Sequence, residues 1–235
     1  MYKRILLKLS GEQLSGKYEG GIDAELCEWL AAEVGKVVGE GVQVVIMVGG
    51  GNLARGAQLE AAQGITRVTA DNIGMLATLM NALALADIFN THGIATRAIS
   101  NIYAEQVADP FTHRRAISHL QKDRVVIVGG GIGRPYLTTD TAAVNLALEL
   151  HCDVVLKATK VDGVYTKDPA KHDDAEHLKT ISFAAAVADG HIKVMDKAAM
   201  GLAMEHKLPI IIFDAMKSDA VADAAVGKPV GTIIS

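Results

Sequence analysis

The stretch VQVVIMVGGGNLARG, residues 42–56, joins a β-branched apolar run to a glycine turn and an arginine. The run at 42–48 has the length and composition of a strand that is buried on both faces of a sheet. Six further apolar runs of strand length are present, at residues 5–9, 95–100, 125–128, 154–156, 209–213 and 232–234. Each is separated from the next by polar or helix-length segments, as expected of an α/β protein.

Segments with helical periodicity lie between these runs, at residues 23–40, 69–90, 112–120, 141–150, 183–188 and 196–206. Asp23 is predicted to cap the first of them. The polar stretch 160–174, which contains Gly163 and Pro169, is typical of a loop. Alternation of strand and helix predicts an α/β sandwich with a mainly parallel sheet and right-handed crossovers. No internal repeat or linker is evident, so we expect one domain, 1–235, whose halves before and after about residue 150 form two lobes of one sheet.

The composition is that of an ordered globular protein, because half of the 235 residues are hydrophobic and 21% are charged. A net charge of −4 with interspersed signs argues against a nucleic-acid-binding protein. No apolar run reaches the roughly 18 residues of a membrane span, and no signal peptide opens the chain. Cys27 and Cys152 form no C-x-x-C pair, which favours buried thiols in a reducing cytoplasm.

Three predicted strands end in glycine-containing turns of similar kind, KLSG at 8–11, GGGN at 49–52 and GGGIG at 129–133. The carboxyl ends of strands are where open α/β sheets bind ligands. Glycine lets the backbone approach an anion closely, and successive amides form an anion-binding nest. Lys8 and Arg55 accompany two of the turns. Together these features predict a cleft that holds several phosphates.

Other phosphate-binding and catalytic signatures fit less well. Gly49, Gly51 and Ala54 satisfy the dinucleotide pattern G-x-G-x-x-[G/A], but Asp71, at the distance of its ribose-binding acid, lies near the start of a helix instead of at a strand end. The P-loop pattern, the zinc patterns H-E-x-x-H and C-x-x-C, and the nucleophile elbow G-x-S-x-G do not occur in the sequence.

Six motifs resemble, in order and over nearly the whole chain, those of the bacterial UMP kinase family within the amino acid kinase superfamily. They are YKRILLKLSGE (2–12), VGGGNLARG (48–56), DNIGMLATLMN (71–81), PYLTTD (135–140), DVVLKATKVDGVYTKDP (153–169) and KVMDKAA (193–199). The resemblance implies phosphoryl transfer from MgATP to UMP on a three-layer αβα fold without a Walker loop. It also implies a homohexamer that GTP activates and UTP inhibits.

The same resemblance implies site residues. The catalytic set is Lys8, Arg55, Asp140 and Asp196. The ATP set is Lys8, Leu9, Ser10, Gly11, Gly51, Arg55, Thr159, Tyr165 and Asp168. The UMP set is Gly50, Asp71, Ile132, Gly133, Arg134, Pro135, Tyr136, Leu137, Thr138 and Thr139. The GTP loop is Gly16, Lys17, Tyr18, Glu19, Gly20 and Gly21. Asp140 or Asp196 is the expected contact to Mg²⁺, through water or phosphates.

The residues also allow plainer roles and other functions. Asp140 is a plausible helix N-cap, and so is Asp71, which is compatible with ribose binding if the acid lies in the first helical turn. The chain reads GGIGRP at 130–135 where the family usually has AGTGNP, so a threonine hydroxyl is lost and a guanidinium replaces an amide. A sibling kinase acting on carboxylates and a non-catalytic nucleotide or oxyanion storage module are the alternatives.

Overall fold

A computed structural model of the protein describes residues 1–54, 64–167, 169, 171–189, 192 and 194–235. Its strands are β1 Arg4–Leu9, β2 Gln43–Val48, β3 Thr96–Ser100, β4 Asp109–Pro110, β5 Val125–Gly129, β6 Val154–Thr159, β7 Val164–Tyr165, β8 His177–Leu178, β9 Thr180–Ile181, β10 Ile210–Asp214 and β11 Thr232–Ile234. Its helices are α1 Gly11–Leu14, α2 Ala24–Gly39, α3 Arg67–Thr91, α4 His113–Leu120, α5 Thr139–Glu149, α6 Phe183–Ala188, α7 Lys197–His206 and α8 Ala220–Ala225.

Nine of the described strands form one sheet in the order β4-β3-β5-β2-β1-β6-β10-β11-β9. Each neighbouring pair is parallel except β10 and β11. The predicted α/β fold with a mainly parallel sheet is therefore confirmed. β7 and β8 form a separate antiparallel pair.

Helices cover both faces of the sheet because alternate strand residues point to opposite sides. Ile5, Leu7 and Leu9 of β1 pack in a cluster with α2, α3 and α8, whereas Leu6 packs with α4, α5, α6 and α7. Three layers result, as the family resemblance implied.

Most predicted elements begin and end within a few residues of the observed ones. Asp23 caps α2 as predicted, since its Oδ1 accepts a hydrogen bond from the backbone N of Leu26 at 3.3 Å. Strand β7 differs from the prediction, because it lies within the stretch 160–174, which the sequence predicts to be a loop. A two-residue strand carries too little periodicity to be read from the sequence.

Two predicted cap roles are wrong. Thr138, not Asp140, caps α5, and its Oγ1 accepts from the backbone N of Asp140 at 3.0 Å, so Asp140 lies in the first turn. Thr66 caps α3, so Asp71 is the fifth helical residue and lies beyond the first turn. In both cases a threonine upstream supplies the capping oxygen, which frees the two carboxylates for other contacts.

Helix α3 is long and apolar enough to cross a membrane by length and composition. Polar residues interrupt it, so no uninterrupted apolar run of roughly 18 residues was found in the sequence. Half of its most apolar window is buried inside the protein. Leu85 and Phe89 are fully buried against the sheet. The helix therefore packs as a core helix of the fold.

Candidate functional site

The three glycine turns lie side by side, because β5, β2 and β1 are neighbours in the sheet and run in the same direction. Gly11 and the second turn approach so closely that a Cβ on Gly11 would lie 2.5 Å from the backbone N of Gly51. A Cβ on Gly50 would lie 2.8 Å from the Cβ of Ala77 in α3. Only glycine allows these backbones to meet.

Polar side chains of α3 hold the turns in place. Asn81, which is fully buried, donates from Nδ2 to the carbonyl of Gly49 at 2.7 Å. The Oγ1 of Thr78 accepts from the backbone N of Gly130 at 2.8 Å and of Gly131 at 3.1 Å. Those two amides are thus used within the protein and do not form an anion-binding nest in the third turn. Thr78 and Asn81 were not assigned a role in the site from the sequence, although two polar residues three apart on a buried helix face indicate one.

A buried charge cluster lies at the ends of β1 and β6. Lys8 and Lys157 are direct partners in the parallel register, and both bind the carboxylate of Asp140. The Nζ of Lys8 is 2.8 Å from Oδ1, and the Nζ of Lys157 is 2.6 Å from Oδ2. Each of the three side chains is less than 15% exposed. Lys157 was not selected from the sequence, because a lysine within a strand has no distinguishing neighbour in the chain.

Burial and the charges within the cluster shift the pKa values of Asp140 and Lys157. Burial raises the pKa of Asp140, but the attraction of Lys8 and Lys157 outweighs burial and holds this pKa below its ordinary value. Burial lowers the pKa of Lys157, and the repulsion of Lys8 adds to it, although Asp140 opposes both. The depressed pKa keeps the Asp140 carboxylate ionised, with the amine groups of Lys8 and Lys157 on either side of it.

Asp196 contacts the N-terminal ends of both α5 and α7. It caps α7, since Oδ1 accepts from the backbone N of Ala199 at 2.9 Å. Both of its oxygens lie 2.9 Å from the Oγ1 of Thr141, and Thr138 also donates to Oδ2. Asp140, Lys157 and Asp196 line one cavity beside α6 and α7. Of the residues predicted to be catalytic, Lys8 contacts Asp140 of α5, and Asp196 contacts Thr141 of the same helix. Arg55 lies outside the described residues.

A second cavity lies between the glycine turns, α3 and residues 132–139, which we term the acceptor loop. It is lined by six residues of the UMP set, Gly50, Asp71, Arg134, Leu137, Thr138 and Thr139. Gly51, predicted to lie between the nucleotides, also lines it. Ile132 instead packs against the hydrophobic core. Most of the predicted acceptor site thus surrounds one cavity.

Tyr136 of the acceptor loop has a φ of 67°, a left-handed conformation that is unusual for an aromatic residue. Such a conformation costs on the order of 1–2 kcal/mol. Its backbone N donates to Oδ2 of Asp71 at 2.8 Å, which ties the loop to α3. Gly133 and Pro135 belong to the same loop without lining the cavity.

The described residues of the ATP set follow the ends of β1 and β6. The side chain of Leu9 is buried in the core, so only its backbone can face a ligand. Thr159 ends β6 and donates from Oγ1 to the carbonyl of Phe213 at 3.2 Å. Tyr165 donates from its hydroxyl to Oδ1 of Asp162 at 2.6 Å. Asp168 lies outside the described residues.

Residues 16–21, the predicted GTP loop, contact the second glycine turn. The backbone N of Gly21 donates to the carbonyl of Asn52 at 3.1 Å, and Nδ2 of Asn52 donates to the carbonyl of Gly21 at 2.7 Å. Lys17 of this loop pairs with Glu25 at 2.9 Å. A change in the loop would therefore reach the GGGN turn through one asparagine.

Known proteins resemble this chain over its full length. The model of the amino acid kinase family matches residues 3–214. The UMP kinase of Bacillus anthracis is 37% identical with a TM-score of 0.95, over 100% of this chain and 96% of that one. The UMP kinase of Ureaplasma parvum is 32% identical with a TM-score of 0.92, over 100% and 99%.

An archaeal structure extends the comparison. The uridylate kinase of Archaeoglobus fulgidus is 29% identical with a TM-score of 0.77, over 98% of this chain and 99% of that one. The match of the family model, the shared fold and the glycine turns beside a buried Lys8–Asp140–Lys157 cluster lead to one conclusion: the chain belongs to the amino acid kinase family.

Proposed function

We propose that the protein transfers the γ-phosphoryl group of MgATP to UMP, giving UDP and ADP, in pyrimidine nucleotide biosynthesis. The observation that carries the proposal is the acceptor cavity, lined by Asp71 and Thr138, at the same sheet edge as the Lys8–Asp140–Lys157 cluster. Similar structures are UMP kinases, which supports UMP as the acceptor.

In the reaction, a phosphate oxygen of UMP forms a bond to the γ-phosphorus while the bond from that phosphorus to the oxygen of the ADP leaving group breaks. Catalysis of this kind is positioning plus neutralisation of charge. Lys8 and Lys157 supply the cations, and Asp140 keeps both ammonium groups in place. No general base is needed, because the acceptor is already an ionised phosphate. Arg55 is proposed to bind phosphate oxygens between the nucleotides.

The donor set fits Mg²⁺ held mainly by phosphates and water. No group of three or more His, Cys, Asp or Glu side chains suited to a metal occurs among the described residues. Both oxygens of Asp140 meet lysines, and Asp196 accepts from two threonines and a backbone amide. Direct ligation would displace these donors, so Asp140 and Asp196 would contact the ion through water. When bound, Mg²⁺ neutralises the donor phosphates.

In this proposal, the two halves of the sheet have different roles in nucleotide binding. Residues 1–150 form the acceptor lobe that holds UMP, and they also contribute six of the nine proposed ATP contacts. Residues 151–235 form the donor lobe and contribute the other three, Thr159, Tyr165 and Asp168. ATP binds along the ends of β1 and β6, with Ser10 and Gly11 at its phosphates. Tyr165 and Asp168 contact the adenosine part, for which an aromatic ring and a carboxylate are suitable partners.

A turnover assay tests the function. The purified protein is mixed with MgATP and each of UMP, CMP, aspartate, glutamate and acetylglutamate, and ADP formation is followed. We expect UMP to be the best acceptor. Faster turnover with CMP or with a carboxylate acceptor would contradict this, and tight ATP binding without any turnover would favour the storage module.

Asp71→Asn is expected to raise the KM for UMP about tenfold, a loss of roughly 1.4 kcal/mol of binding. The carboxylate is proposed to accept hydrogen bonds from the ribose hydroxyls, and an amide offers fewer acceptor sites. The kcat and the KM for ATP should stay within twofold of the wild type in steady-state assays. An unchanged KM for UMP would rule out the ribose assignment.

The protein is further proposed to be a cytoplasmic homohexamer, activated by GTP and inhibited by UTP, on the family resemblance. Val68, Leu76 and Met80 of α3 are each more than 40% exposed. Leu76 and Met80 are four residues apart and therefore lie on one side of the helix, which is suited to a subunit contact.

Met80→Glu should therefore lower the molar mass in light scattering, because a carboxylate would be buried at the contact. Met204→Glu on α7 is a matched control, since Met204 is 44% exposed but lies on a different helix. Equal masses for wild type and Met80→Glu would place the subunit contact elsewhere. Activity with and without GTP or UTP tests the regulation.

A further inference from the structure

Asp71 lies where helix α3 meets the acceptor loop, and Arg67 precedes it by one helical turn. The Nε of Arg67 is 3.0 Å from Oδ1 of Asp71 and 2.9 Å from Oδ2. The Arg67 side chain is 42% exposed and that of Asp71 is 18% exposed. The guanidinium therefore holds a half-enclosed carboxylate by both of its oxygens.

Arg67 also contacts the acceptor loop. Its Cζ lies 5.3 Å from the centroid of the Tyr136 ring, within range of a cation–π interaction. The backbone N of Tyr136 donates to Oδ2 of Asp71 at 2.8 Å. Arg67, Asp71 and Tyr136 thus contact one another, and we term these contacts the strap, which connects α3 to a loop residue in a left-handed conformation.

The strap leaves room for the acceptor. A carboxylate has about four acceptor sites on its two oxygens, and the three contacts from Arg67 and Tyr136 leave about one of them, on Oδ1. Asp71 also lines the acceptor cavity. A ribose hydroxyl can donate to the remaining site, and a carboxylate held in one orientation binds it with less loss of side-chain freedom.

We propose that Arg67 is a positioning residue for the acceptor nucleotide: it orients Asp71 toward the ribose hydroxyls and keeps the acceptor loop in place through Tyr136. The proposal rests on UMP as the acceptor. The proposed effect of Arg67 on the acceptor passes through its contacts to Asp71 and Tyr136.

Kinetics of Arg67→Gln provide the first test. The KM for UMP should rise about tenfold while kcat and the KM for ATP stay within twofold. With 2′-deoxy-UMP, which lacks one hydroxyl donor, the rise should be smaller, so the preference for UMP over its deoxy form should fall. An unchanged preference, or an equal change in all kinetic constants, would overturn the proposal.

A double-mutant cycle separates positioning from a general loss of charge. In the Asp71→Asn background, Arg67→Gln should add less than twofold to the KM for UMP, because the residue through which it acts is already altered. Multiplicative effects of the two changes would contradict the strap. Arg114→Gln, at an exposed helix position on α4, is the control and should leave the KM unchanged.

Amide hydrogen exchange tests the strap without any substrate. In the ligand-free protein, the Tyr136 amide should exchange about tenfold faster in Arg67→Gln than in the wild type, and α2 should be unaffected. An unchanged exchange rate would overturn the strap even if UMP is the acceptor. Absence of UMP turnover in the wild type would instead overturn the proposed function, so the two failures are distinguishable.

Discussion

Asp140→Asn is expected to remove most of the activity and several kcal/mol of stability. Two ammonium groups, Lys8 and Lys157, would then lie side by side with no carboxylate between them. Removal of one partner from a buried ion pair costs about 3–5 kcal/mol. For a chain of this size that corresponds to a fall in Tm of about 10 °C. We expect kcat to fall at least about 100-fold, because both cations lose their position.

The loss of stability in Asp140→Asn depends on pH through the pKa of Asp140, which the two lysines hold below its ordinary value of 3.8. A carboxyl group with a depressed pKa in the folded state contributes its full stability above the unfolded pKa. The contribution is lost as pH falls through the folded pKa. The difference in Tm between wild type and variant should thus be constant from about pH 5 to 8 and shrink only below about pH 4.

Calorimetry of both proteins across this pH range provides the measurement. Asp223→Asn is a matched control, because Asp223 forms an ion pair of the same 2.6 Å length with the exposed Lys228. Its Tm should barely change, since surface pairs contribute little. A Tm of Asp140→Asn equal to that of the wild type would show that the cluster does not stabilise the fold.

Lys8→Ala is expected to lower kcat about 10²- to 10³-fold, the usual effect of removing one group that stabilises transition-state charge. The KM for UMP should change much less, because negative charge on the transferred group is greatest in the transition state. Single-turnover kinetics with MgATP and UMP would separate this step from nucleotide binding. A large rise in KM with an unchanged kcat would instead make Lys8 a binding residue.

Two controls accompany this variant. Lys3→Ala removes an exposed lysine just before the same strand and should leave kcat unchanged. Lys8→Ala still leaves Asp140 paired with Lys157, so its Tm should fall less than that of Asp140→Asn. The order of the two effects therefore distinguishes loss of catalytic charge from loss of structure.

The fold was predictable because its longest elements repeat strong local signals. The run at 42–48 was recognised as a buried strand, and Asp23 as a cap, from their immediate neighbours alone. Several short elements, among them α1, β4, β7 and α8, were missed because each contains less than two periods of any pattern. Their geometry is set by tertiary contacts, as when β7 pairs with β8.

The site was predictable where its residues stand beside a glycine turn. Lys8 follows from KLSG, and the acceptor residues Gly50 and Thr138 follow from motif resemblance. Lys157 could not be found this way, because its significance lies in the register that places it beside Lys8. The cap roles of Asp71 and Asp140 were wrong because Thr66 and Thr138 compete for the same turns.

The charge cluster depends on the pairing of β1 with β6, so it can form only after β6 has been synthesised. This pairing joins Lys8 to Lys157, so the charge cluster requires residues from distant parts of the chain. The described residues that line the acceptor cavity, by contrast, all lie between Gly50 and Thr139. A chain still emerging from the ribosome can fold its earlier part first. Such a chain can form the cavity, but it lacks Lys157 and therefore the complete charge cluster.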